Sequence, residues 1–411
     1  MEVLYDRCAG LDVHKDTVVA CVRVAEGRKV SREVRTFGTV TRELLALADW
    51  LAEQRVTHVL MEATGVYWKP VWHVLEGMAT LVLANAAHVK NVPGRKTDVK
   101  DAEWLADLLA HGLVRGSLVP PADIHELRNL TRTRRQLVRE RSSHVQRIQK
   151  TLEDANIKIN SVISDVMGMS GRAFLAAIIE GETDPKKLAE HASPRLKATK
   201  AEIEDALRGF PTGHHRFMLR MHLDVIASLD AAVARIEAEV AALLAPFQEH
   251  LEHLMTMPGV SRTMGEVLIA ETGADMKRFP TADHLVSWAG LCPRSDVSAG
   301  KHRTNHLRPG AAWLRSALVQ CAWAAARKKG SRFQALFYRV KARHGAKKAV
   351  VAVAAEMLRC AWHMMERRQP FADLDPNAVD PERKEREVTR LVNKLRSLGY
   401  KAEIAEVTAV A

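Results

Sequence analysis

An aspartate stands inside a short apolar run near the start of this 411-residue chain. Cys8–His14 reads Cys-Ala-Gly-Leu-Asp-Val-His, and an acid such as Asp12 within a strand is costly unless it is paired or metal-bound. The run is followed by a second one, Thr17–Val24, split off by His14-Lys-Asp16, which predicts a hairpin turn. Lys29–Phe37 alternates with period two, a third strand. Thr41–Gln54 has helical spacing (Leu44, Leu45, Leu47, Ala48, Leu51) behind a possible Thr41 cap. Thr57–Glu62 and Thr80–Ala84 read as buried strands separated by a helix near Tyr67–Glu76.

Three strands, helix, strand, helix, strand, helix is the order of an RNase H-like α/β domain. From Ile124 to Asn156 the pattern turns into one long helix, with Arg128, Arg132, Arg135 and Arg139 on one face, expected to bind nucleic-acid backbone, and a charge of +6 over Ile124–Lys150. A second long helix covers His215–Leu244. Its Leu219, His222, Ile226, Leu229, Val233, Ile236, Val240 and Leu243 fall on heptad a and d positions, the pattern of a coiled coil. Spacing alone leaves its partner open between the first helix and another subunit. Met257-Pro-Gly-Val-Ser261 reads either as a helix-hairpin-helix that offers backbone N–H groups to a phosphate or as an ordinary helical corner. Helices follow near Ala311–Lys328, Arg332–Arg343 and Lys347–Glu366, then a tail with an amphipathic segment at Glu385–Leu398. The expected class is α/β plus α, divided into 1–115, a helical coiled-coil region 116–250, a mostly helical domain 251–370 and a tail 371–411.

Charge narrows the partners. Val297 to Ala355 runs 59 residues without an acid and carries 13 Lys and Arg, more than the net +12 of the whole chain. One-sided charge of that kind is the footprint of a polyanion. Cys8, Cys21, Cys292, Cys321 and Cys360 form no Cys-x-x-Cys pair and sit among apolar residues, which favours reduced thiols in a cytoplasmic protein. No apolar run approaches the ~20 residues of a membrane span.

Four carboxylates form the first chemical constellation. Asp12 and Glu62 lie in apolar strands, and Asp98 and Asp101 stand three apart at a helix start. Together they offer hard oxygen donors for Mg²⁺, which binds scissile phosphates and activates attacking oxygens. Singly, each reads as well as a cap or strand-end acid. Ser298, at the edge of the acid-free run, is open between a phosphate contact and a nucleophile. Lys301, Arg303, Arg308 and Arg315 suit a phosphate's developing charge.

On these motifs the chain resembles the DEDD-type insertion-sequence transposases, which are bridge-RNA-guided serine recombinases. Gly10–Lys15 matches the opening strand of their RuvC-like domain, Glu62-Ala-Thr-Gly65 the second acid, and Lys96–Ala102 the third and fourth. Ala289-Gly-Leu-Cys-Pro293, Ser298-Ala-Gly300 and Trp313-Leu-Arg315 match the C-terminal transposase domain. Two positions depart from the pattern, Gly310-Ala311 where Gly-Asn is common and Thr304-Asn305 where glycine often stands. The resemblance implies that Asp12, Glu62, Asp98 and Asp101 hold Mg²⁺ and that Ser298 is the nucleophile. It also implies donor and target DNA, a structured non-coding guide RNA, and a dimer or tetramer with sites shared between subunits. Two rival readings are a metal-only RuvC-like nuclease and a non-catalytic nucleic-acid-binding protein.

Overall fold

The structure, a computed structural model, describes residues 3–27, 29–62, 65–85, 89, 101–114, 116–293, 296–298, 301–304, 307–308, 310–373 and 381–401, without the side chains of 296–298, 301–304, 381–387 and 394. It divides into two compact units, Met1–Pro120 and Pro121–Ala411.

The first unit is α/β. Its strands are β1 (Arg7–Val13), β2 (Thr17–Glu26), β3 (Lys29–Gly38), β4 (His58–Glu62) and β5 (Thr80–Ala84), in the order β3-β2-β1-β4-β5. β1, β2 and β3 are antiparallel, and β1, β4 and β5 run parallel. Parallel neighbours need crossovers, supplied by α1 (Thr41–Glu53) and α2 (Trp68–Leu75). The expected Thr41 cap is not made. Val40 is the N-cap of α1, and no side chain bonds to the first turn.

The sheet is covered on both faces. Leu11, Val13, Val18, Ala20, Val59 and Met61 pack with Leu44, Leu47, Trp50 and Leu51 of α1. On the other face Cys8 and Leu60 meet Leu105, Leu108 and Leu109 of α3 (Asp101–Ala110). Burial on both faces explains why β1 and β4 read as continuous apolar runs rather than alternating ones. β3 is one edge of the sheet and is exposed from Lys29 to Thr36, its charges discouraging further pairing.

The second unit is mostly helical. Helices α4 (Ala122–Asp154) and α8 (Gly213–Leu244) pack against each other, so the long-helix seam has its partner within the chain. Leu219, His222, Ile226 and Val240 are buried, whereas Leu229, Val233, Ile236 and Leu243 are only half-buried. Between them lie α5 (Met169–Glu180), α6 (Pro185–Glu190) and α7 (Lys200–Leu207), whose Phe174, Leu175, Ile178, Leu188 and Ile203 close a core with Ile148, Leu152, Leu219 and Ile226. Asp184 caps α6, and capping boxes open α7 (Thr199, Glu202) and α8 (Thr212, His215).

Then come α9 (Gln248–Met255), α10 (Arg262–Thr272), α11 (Ala282–Trp288), a hairpin of β6 (Asp296–Ser298) and β7 (Lys301–Thr304), α12 (Ala312–Ala325), α13 (Arg332–His344), α14 (Ala346–Arg367) and α15 (Pro381–Ser397). Among the described residues no helix is long and apolar enough to cross a membrane. Cys8, Cys21 and Cys321 are buried. Burial pushes their thiols up, to about 11 for Cys8 and about 12 for Cys21 and Cys321, which leaves them unreactive near neutral pH.

Candidate active site and nucleic-acid face

Gly10 organises the acidic end of the sheet. A Cβ on it would lie 2.3 Å from the Ala102 carbonyl oxygen and 2.4 Å from the Ala106 nitrogen, so only glycine lets α3 lie this close to β1. Side chains two apart on a strand share a face, which puts Asp12 on the face that α3 covers. Leu60 pairs with Gly10 and packs against α3, so Glu62 lies on that face too. Since Leu11 pairs with Met61, Asp12 and Glu62 extend neighbouring parallel strands at the same end.

Asp101 opens α3 on this face and is half-buried. Asp12 is also half-buried, its Oδ2 3.1 Å from His14 Nε2. The helix is tied down further along, where Arg23 (3.0 Å) and Arg32 (2.9 Å) both donate to Asp107.

An all-carboxylate set suits a hard divalent cation, and the sheet brings two of its members side by side. Asp98 lies outside the described residues. Among the described residues, no group of three or more His, Cys, Asp and Glu side chains stands close enough to hold a metal.

In the second unit, Ser298 ends β6, paired with Lys301 across the hairpin. The side chains of Ser298, Lys301 and Arg303 lie outside the described residues. Arg308 is exposed and Arg315 half-buried, with Arg315 Nη1 donating to the Arg308 carbonyl at 3.2 Å. Gly290, at φ +72°, sits against Arg308 and Gly310, and a Cβ there would meet the Arg308 carbonyl at 2.7 Å. This close approach fits the Ala289-Gly-Leu-Cys-Pro293 motif.

The arginine face of α4 turns toward α10 and α12. Arg132 makes a two-pronged bond to Glu271 at 2.7 and 2.8 Å, and Arg128 donates to the Ala270 and Glu271 carbonyls. Arg135 donates to the Trp313 carbonyl (3.3 Å) and Ser316 Oγ (2.6 Å), while Arg139 is exposed. The neighbouring Arg134, buried, pairs with Glu266 at 2.7 Å. The stripe is therefore divided. Its N-terminal half is tied to carboxylates and carbonyls of α10, and its C-terminal half to neutral oxygens of α12 at Arg135 and to solvent at Arg139.

Gly259, at φ +84°, turns the chain between α9 and α10 and faces α12, where a Cβ would meet the Cys321 carbonyl at 2.5 Å. That packing accounts for the glycine without a phosphate. Sequence reasoning missed Glu266 and Glu271, which are 5% and 1% exposed. Acids on an otherwise apolar helix, as in Gly265-Glu-Val-Leu-Ile-Ala-Glu271, were the available signal.

Comparison with known proteins gives the family. A DEDD transposase model of the IS110 kind matches residues 9–157. A model of the IS116/IS110/IS902 transposase family matches residues 251–338. An uncharacterized 42 kDa protein of insertion element IS900 from Mycobacterium paratuberculosis is 28% identical over 256 residues, 53% of this chain and 61% of its own. A mini-circle protein for IS117 from Streptomyces coelicolor is 32% identical over 120 residues, 27% of this chain and 29% of its own. The chain thus spans about three fifths of the first relative and under a third of the second. The two family models together take in more than half of the sequence, including Asp12, Glu62, Asp98, Asp101 and Ser298, and the chain belongs to the IS110-type transposase family.

Proposed function

We propose that the chain is a DNA transposase/recombinase that cuts and rejoins strands through Ser298, with Asp12, Glu62, Asp98 and Asp101 as its Mg²⁺ ligands. The observation that carries this reading is the convergence of Asp12 and Glu62 at one end of neighbouring parallel strands, on the face of the helix that opens at Asp101. The strand order β3-β2-β1-β4-β5, with helices on both faces, supports an RNase H-like classification of the first unit.

In the proposed reaction Ser298 Oγ attacks a DNA phosphorus. The bond to one strand oxygen breaks, that oxygen leaves as a hydroxyl carrying the serine proton, and the serine keeps the phosphoryl ester. A hydroxyl of the other strand then attacks the same phosphorus and releases the serine. Mg²⁺ on the four acids would supply charge neutralisation at the phosphate and activation of an attacking oxygen. Arg308 and Arg315, and with them Lys301 and Arg303, offer donors to the phosphate oxygens.

The family resemblance adds donor and target DNA and a structured guide RNA, and the acid-free basic run supports a polyanionic partner. A homo-oligomer, dimer or tetramer, is supported by the part of the α8 seam left half-exposed at Leu229, Val233 and Ile236.

A strand-exchange assay tests the proposal. Ser298→Ala should keep DNA binding and lose at least ~10³-fold in exchange, as deletion of a covalent nucleophile does. Exchange at a near wild-type rate would exclude the serine mechanism. Mg²⁺-dependent cutting that persists in Ser298→Ala would point instead to a metal-only nuclease.

A further inference from the structure

We propose that Arg135 and Arg139, laid around the indole of Trp313, form a seat for one phosphodiester of the DNA strand engaged at the Ser298 hairpin. The proposal rests on the DNA reading above and adds a specific site to it.

Three guanidiniums of α4 surround one ring. Those of Arg132, Arg135 and Arg139 lie 5.6, 5.5 and 5.8 Å from the Trp313 ring centre. Only Arg132 has its charge answered, by the two-pronged bond to Glu271. Arg135 spends its donors on neutral oxygens of Trp313 and Ser316. Among the described residues neither Arg135 nor Arg139 has a carboxylate within ion-pair distance. Arg315, in the same turn of α12, donates to the Arg308 carbonyl, and that turn contains no acidic residue.

Like charges held together oppose one another. Burial and then the neighbouring Arg139 hold the Arg135 guanidinium below its usual range, against a smaller opposite pull from Glu271. An anion beside Arg135 and Arg139 would offset their repulsion.

The chemistry of the cluster selects the anion. Guanidiniums lose hydration readily, stack on aromatic faces and bind phosphate in two-pronged fashion. A single small anion would satisfy one or two of them. Trp313 lies instead within a 59-residue run that carries 13 Lys and Arg and no acid, as a chain of phosphates requires. That run begins at the Ser298 hairpin, which is why the strand handled there is the proposed occupant.

The test uses the full chain and fluorescence anisotropy with a labelled DNA duplex over a series of salt concentrations. Each lost phosphate contact flattens the log–log salt slope by about 0.9. Arg139→Gln and Arg135→Gln should each flatten it by about that amount. Arg220→Gln, which removes a cation already paired with Glu180, should leave it unchanged. Arg139 is exposed, so Arg139→Gln should melt with the wild type, and its slope counts even if Arg135→Gln fails to fold. An unchanged slope in Arg139→Gln overturns the seat while leaving the transposase reading intact. A slope that falls with a structured RNA but not with duplex DNA also overturns it. Wild-type chain that binds no DNA at all would instead overturn the underlying function.

Discussion

Adding one methyl group at Gly10 should disable the acidic site without touching any acid. A Cβ there would lie 2.3 Å from the Ala102 carbonyl oxygen, 2.4 Å from the Ala106 nitrogen and 2.8 Å from Leu105 Cβ. To restore ordinary contact α3 must retreat by about 1 Å, because two of the three obstructing atoms are backbone and cannot rotate away. Overpacking of this kind costs about 1–3 kcal/mol, and an obstruction by backbone belongs at the upper end. For a unit the size of Met1–Pro120, about 3 kcal/mol lowers the melting temperature by roughly 10 °C. α3 begins at Asp101, so the same retreat carries that carboxylate away from Asp12 and Glu62. A displacement of about 1 Å in a catalytic constellation costs ~10²-fold in rate. Gly10→Ala should therefore show both a lower first transition by scanning calorimetry and at least that loss of strand exchange at a temperature where it is folded. Gly213→Ala is the matched control. Nothing lies within 4 Å of a Cβ at the first residue of α8, so this substitution should be neutral or stabilise by about 0.4–1 kcal/mol. A Gly10→Ala chain that melts and exchanges strands like the wild type would refute the close packing of α3 on β1.

Three further outcomes follow from the geometry. Glu271→Gln removes the 1%-exposed carboxylate that holds Arg132 and should cost about 2 kcal/mol in urea unfolding, less than a fully buried pair because Arg132 is a third exposed. Burial first, then His144 and Arg147, lowers the pKa of His222, which lies with its Nδ1 3.2 Å from His144 Nδ1. The unfolded chain therefore binds the proton more readily than the fold does, so stability should be full above the ordinary value of 6.5 and fall as pH drops below it. His222→Leu should flatten that part of a melting-temperature profile, and an unchanged profile would place the dependence elsewhere. Asp98→Asn should abolish strand exchange if Asp98 is a ligand, and should leave it nearly intact if Asp98 is a cap, since asparagine caps as well as aspartate.

Much of the architecture could be read from periodicity. β1 to β5 and the long helices α4 and α8 fall within a few residues of their expected bounds, because strands buried on both faces and long amphipathic helices leave strong local patterns. The segment from 157 to 212 was not read. Its helices are as short as six residues, and their packing on Ile148, Leu219 and Ile226 joins residues distant in sequence. Its capping signals, Asp184-Pro185 and Thr199 with Glu202, are local and were there to be used. The arginine stripe shows the limit most plainly. A spacing of three and four places Arg128, Arg132, Arg135 and Arg139 on one face, but what covers that face is set by Glu271 and Trp313, more than 130 residues later. Asp12 and Glu62 were legible as acids in apolar strands. Their adjacency required the register that pairs Leu11 with Met61.

The most direct test of the central claim is to trap the protein on its DNA and map the attachment by mass spectrometry. The chain would be incubated with Mg²⁺, a DNA carrying the element's ends and the proposed guide RNA, then denatured and digested with nuclease and protease. The account predicts a nucleotide ester on the peptide that contains Ser298, absent from Ser298→Ala and from Asp12→Asn. DNA cut with no protein attached, or an adduct on any residue other than Ser298, would contradict it.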